Sequence, residues 1–175
     1  GVLHHMADPE QGLQSLSKQL RPGGFIKVAL YSRCARQRVT ILRQTLGQQR
    51  PNSDDGIRLV REALLQGAIK GDWQTLLQSP DFYSLSACRD LLFHEQELVF
   101  DLSQLLALVD RCQLQWIGLL PPPGSEALAQ QTFACQAREL SLSQWQQLEQ
   151  NHPNLFAGMY QFYLQKSAQT SLTGM

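Results

Sequence analysis

Two adjacent histidines, His4 and His5, follow an apolar pair at the start of the sequence. Histidine titrates near neutrality, so either ring suits the acceptance of a proton from a hydroxyl, a thiol or an ammonium group. A second group is Tyr31, Ser32 and Arg36, which directly follows the apolar run Phe25–Leu30. A third is Asp90 with His94, four residues apart where the periodicity is helical, so the two share a helix face. With Glu95 and Glu97 they offer oxygen and nitrogen donors for a metal or a means of orienting a base. Glu95 points away from that face, and a surface ion pair is the simpler reading. Between Arg33 and Lys70 eight basic residues outweigh Asp54, Asp55 and Glu62. No aromatic side chain is interleaved among them, which favours a solvated helical face over a nucleic-acid surface.

These residues need elements to hold them. Asp8 and Pro9 open a helix whose apolar positions are Leu13, Leu16 and Leu20, and Arg21-Pro22-Gly23-Gly24 ends it. Residues 25–31 read as a buried strand. With residues 1–3 as a strand end, this gives a β–α–β unit. From Cys34 to Gln96 the spacing is helical, with Val39, Leu42 and Leu46 in one stripe and Ile57, Val60 and Leu64 in another. Ser53 or Asp54 caps the second. Cys88, Leu91, Leu92 and Glu95 mark a further helix. Asp101-Leu102-Ser103-Gln104 is a capping box, 114–120 a strand, and Trp145 with Leu148 a short helix. In 159–166, Tyr160, Phe162 and Leu164 alternate with Gln161, Tyr163 and Gln165 as in a half-buried strand. The expected sheet has 25–31 as its inner strand, with 114–120 and 159–166 paired antiparallel beside it.

Composition narrows the classes. The chain has 175 residues, 43% hydrophobic, with fifteen basic and fifteen acidic side chains. That suits a globular domain with a core and gives no global attraction to nucleic acid or anionic lipid. No apolar run reaches the roughly 20 residues of a membrane span. Four scattered cysteines without a CxxC pair argue against zinc or a disulfide framework and point to a reducing, cytoplasmic setting.

Gly1-Val2-Leu3-His4-His5-Met6, then Leu20-Arg21-Pro22-Gly23-Gly24-Phe25, then Phe162-Tyr163-Leu164-Gln165-Lys166 resemble, in order, the fourth-strand end, the turn into strand five and the last strand of class I S-adenosylmethionine-dependent methyltransferases. More narrowly, Leu30-Tyr31-Ser32 with Ala35-Arg36, Asp81-Phe82-Tyr83-Ser84 with Arg89–His94, and Met159–Phe162 are similar to members often fused behind tetratricopeptide repeats. Leu98 departs from that pattern, where a histidine is expected after Glu97. The resemblance implies an α/β fold: a partial Rossmann-like methyltransferase sheet, strands four to seven, with a helical insertion. It divides the chain into 1–33 and 101–167 as the carboxyl-terminal half of that domain, 34–100 as a lid, and 168–175 as a tail. It implies S-adenosylmethionine as cofactor, met by Val2, Leu3 and His4. His4 and His5 become the catalytic candidates, and Tyr31, Arg36, Asp90 and His94 the acceptor-binding ones. No metal is implied. No glycine-x-glycine turn is present in the chain, so the expected cofactor site is incomplete.

Two functions follow as expectations. One is methyl transfer to a small-molecule or protein acceptor, by a fragment inactive alone. The alternative is a non-catalytic protein-interaction domain derived from a methyltransferase, associating through an exposed sheet edge.

Overall fold

The computed structural model describes residues 2–47, 50–51, 53–94 and 96–168. Gly1, Asn52, Glu95 and most of the expected tail lie outside the described residues. The chain divides into two compact units. One runs through Ala35 and resumes at Gln96; the other is Arg36–Glu95.

The first unit is built on a mixed sheet of four strands: β1 (Phe25–Ser32), β2 (Val99–Phe100), β3 (Leu114–Leu119) and β4 (Tyr160–Lys166), in the order β2-β1-β4-β3. β4 lies between β1 and β3 and is antiparallel to both, with Val28 opposite Phe162 and Trp116 opposite Leu164. The pairing corrects the expected arrangement in one respect: 114–119 meets the last strand and not 25–31. A register shift between Trp116 and Gly118 marks a bulge in β3. β2 is parallel to the end of β1, with Tyr31 opposite Val99 and Ser32 opposite Phe100. Val99 and Phe100, placed in the insertion by sequence, thus belong to the sheet.

The fourth-strand remnant is also corrected. Leu3–His5 is a turn of 3₁₀ helix, because His5 N–H bonds Val2 O and Met6 N–H bonds Leu3 O. These local bonds replace a ladder, so no β–α–β unit forms there. The helix that follows, α1 (Pro9–Gln19), starts as the sequence implies, with Asp8 accepting from Gln11 N–H and proline in the first turn. Its other end is tied to the last strand. Lys166 Nζ donates to Ser17 O (3.0 Å) and Leu20 O (2.9 Å), supplying a cation and further donors at the carboxyl end of the helix. The Gly23-Gly24 turn, with Gly23 at φ 74°, exchanges backbone bonds with Lys166 and gives Gln165 Nε2 a carbonyl at 3.0 Å.

The first unit's core collects Leu13, Val28, Leu30, Phe162 and Leu164 with apolar faces of α6 (Leu102–Arg111), α7 (Ser125–Phe133) and α8 (Leu142–Asn151). The Asp101 capping box is formed in full. Asp101→Ala should therefore cost about 1 kcal/mol, read as a lower denaturant midpoint at unchanged slope. The Arg33–Asp101 pair, 3.9 Å apart and half exposed, adds little to that.

The second unit holds α2 (Gln37–Leu46), α3 (Asp54–Leu65), the short α4 (Gln74–Leu77) and α5 (Leu85–Phe93), with a 3₁₀ turn at Pro80–Phe82. Val39, Leu42, Ile57, Leu64, Phe82 and Leu92 form a core of their own. Ser53 caps α3 through Gly56 N–H.

Candidate functional site

β1 ends in Tyr31 and Ser32, whose side chains leave opposite faces of the sheet. On one face the 3₁₀ turn brings two imidazoles to Tyr31. The His4 ring lies 4.2 Å from the Tyr31 ring and 4.1 Å from that of His5. The backbone completes this corner: Leu98 N–H bonds His4 O.

His4 is buried, 1% exposed, and hydrogen-bonds the backbone of Ala29 while its Nδ1 has no hydrogen-bond partner. Burial, and next the neighbouring His5, push its pKa down to about 4. His4 is therefore neutral at physiological pH and a weak base. His5 is half-buried. Its Nδ1 donates to Gln96 O at 3.1 Å, since a carbonyl can only accept. That bond leaves the lone pair of a neutral ring on Nε2.

On the other face Ser32 is fully buried. Its hydroxyl donates to Glu149 Oε1 at 2.5 Å and accepts from Ala35 N–H at 3.1 Å. Glu149, on α8, also meets the Tyr160 hydroxyl through both oxygens, at 2.7 and 2.6 Å. Ser32, grouped with Tyr31 and Arg36 by sequence, is committed to bonds within the protein. Glu149 was missed by sequence reasoning. The signal was its place four residues after Trp145, on the face that buries an apolar stripe.

Val2 is 71% exposed and Leu3 packs into the core; both line an open cavity of about 560 Å³ with Met6, Gly12, Leu16 and Ile26. This cavity runs along the part of β1 where only the β4 edge is paired. Its lining is largely apolar and contains no carboxylate. Its polar side chains are Gln11, Ser15 and Lys27, so this cavity lacks the acid that would meet the ribose hydroxyls of S-adenosylmethionine.

The remaining acceptor candidates lie in the second unit. Arg36 is buried and donates to Leu91 O, and Arg43 Nε donates to Leu92 O, so both basic side chains serve carbonyls at the end of α5. Asp90 is exposed on α5. The helix stops at Phe93 and His94 turns into extended backbone, so the shared four-residue face ends one residue short of His94. No group of three or more candidate metal ligands occurs among the described residues. All four cysteines are free.

The fold and site define a mixed α/β protein with histidine and tyrosine rings gathered at a strand's carboxyl end. Among the described residues no helix is long and apolar enough to cross a membrane. No family model matches the chain. It is similar to an uncharacterized protein of Synechococcus sp., 26% identical over 127 residues, a match covering 67% of this chain and 30% of that relative. The chain thus spans less than a third of the length of the curated relative it matches.

Proposed function

We propose that the chain is the carboxyl-terminal part of a class I S-adenosylmethionine-dependent methyltransferase and forms the acceptor side of its site. The observation that carries this reading is the ring cluster of His4, His5 and Tyr31 at the carboxyl end of β1, where open α/β sheets place their ligands. The junction of Lys166 with the Gly23-Gly24 turn and α1 supports it, because it joins two of the three resembling stretches in space. Of the two histidines, His5 is the better candidate to take a proton from an acceptor. Its Nδ1 bond to Gln96 places the basic nitrogen at Nε2, whereas His4 is buried and weakly basic. Tyr31 bounds the same corner.

The missing glycine-x-glycine turn, with no acid in the cavity lining, gives the test. Calorimetry on the 175-residue chain should detect no micromolar binding of S-adenosylmethionine, whereas a longer polypeptide including upstream-encoded residues should bind it. Micromolar affinity in the chain alone, or none in the longer polypeptide, overturns the reading. A protein-interaction role remains the second reading, favoured by the apolar cavity along the half-paired β1.

A further inference from the structure

We propose that Glu149 is a positioning residue for the strand-end site: through Ser32 it fixes the backbone from which Tyr31 meets His4. This rests on the strand-end cluster being the site, and names what holds that cluster in place.

The three bonded side chains come from three elements. Ser32 is the last residue of β1, Tyr160 the first of β4, and Glu149 lies in the last turn of α8. Leu30 is the register partner of Tyr160, so the carboxyl group spans the gap between the end of one strand and the start of its neighbour. Ser32 Oγ has both its roles filled, as donor to Glu149 and acceptor from Ala35 N–H. A serine held on both sides fixes the peptide before it, and with it the direction in which Tyr31 leaves the opposite face. Tyr31 then meets His4 at 4.2 Å, with ring planes 52° apart.

Both Glu149 oxygens approach one hydroxyl that has a single proton to give. The Tyr160 hydroxyl is shared between the two oxygens, and the Ser32 hydroxyl adds a second donor at Oε1. No ion pair offsets a charge on Glu149 among the described residues. The charged groups near it are Asp101, which disfavours ionisation, and Arg33, which acts on the adjacent Cys34. Burial, above all, raises its pKa against the two hydrogen bonds that lower it. The buried carboxyl, bonded to both hydroxyls, makes the cluster a clasp joining β1, β4 and α8.

The test reads the geometry of the rings in the 175-residue chain by NMR with labelled histidine and tyrosine. In the wild type, His4 and Tyr31 signals should carry mutual ring-current shifts. Glu149→Ala should abolish them, and Glu149→Gln, which keeps one donor and one acceptor, should restore them. Ser32→Ala should abolish the same shifts while the Tyr160 signals stay in place. That variant decides the matter if Glu149→Ala does not fold. Folded Glu149→Ala or Ser32→Ala protein with wild-type ring shifts overturns the proposal. These readouts are independent of cofactor binding, so their failure is distinguishable from failure of the methyltransferase reading.

Discussion

Replacing Phe162 with alanine is expected to destabilise the protein by about 3–5 kcal/mol, the range for emptying an aromatic site in a packed core. Phe162 is fully buried in β4, and both neighbouring strands bond to that strand. Its ring stacks on Trp116 with centroids 4.7 Å apart and planes inclined by 20°. The loss combines the transfer of the side chain, the cavity left behind and the aromatic pair itself. For a chain of this size the melting temperature should drop by roughly 10 °C or more. Tyr163→Ala is the matched control, since that neighbour points to the exposed face and should cost a small part of that. Equal losses at the two positions would mean that β4 does not sit between β1 and β3 as described.

The second large effect concerns acid. An ordinary histidine titrates near 6.5, and folded His4 near 4. Between those values the unfolded chain binds a proton at this position that the folded chain refuses. The stability contribution is therefore present above the unfolded value and lost as pH falls toward the folded one. The slope reaches about 1.4 kcal/mol per pH unit, or about 3 kcal/mol across the window. Glu149 acts with the opposite sign. Its folded pKa is raised, so its contribution is full below the ordinary carboxylate value and declines as pH rises. Denaturant titrations at several pH values should show a shallower acid limb in His4→Phe than in the wild type, and a steeper one in Glu149→Gln. A His4→Phe curve parallel to the wild type from pH 6.5 to 4 would dismiss the burial account of His4.

What could be read from sequence was whatever local chemistry decides. Asp8-Pro9, Ser53 and Asp101-x-x-Gln104 each specify a helix start by satisfying backbone N–H groups within three residues. β4 announced itself by strict alternation over seven residues, and its buried positions are Tyr160, Phe162 and Leu164. Two elements were not legible. β2 is two residues long, too short for any period, and exists because the end of β1 offers a partner. α7 follows three prolines and a left-handed Gly124 without a side-chain cap, so it lacks the usual opening signature. The candidate site was half visible. His4, His5 and Tyr31 stand out by type, but the Leu3–His5 turn depends on local backbone bonds that an apolar pair does not advertise. Glu149 went unread, because its partners Ser32 and Tyr160 are 117 and 11 residues away in the chain.

The short parallel contact between β1 and β2 has a topological consequence. It places the outgoing and returning chain about 4.8 Å apart, one strand spacing, and Arg33 N–H bonds Phe100 O just beyond. Sixty residues, Arg36 to Glu95, are thus strung on a neck whose two ends are already neighbours. The entropy of closing so long a loop is met within the sheet and grows only logarithmically with length. Excising the loop for a short turn, or grafting another domain in its place, asks nothing new of the strands that bracket it. The junction is a cassette boundary, at which the intervening unit can change in size and sequence while the sheet keeps its register.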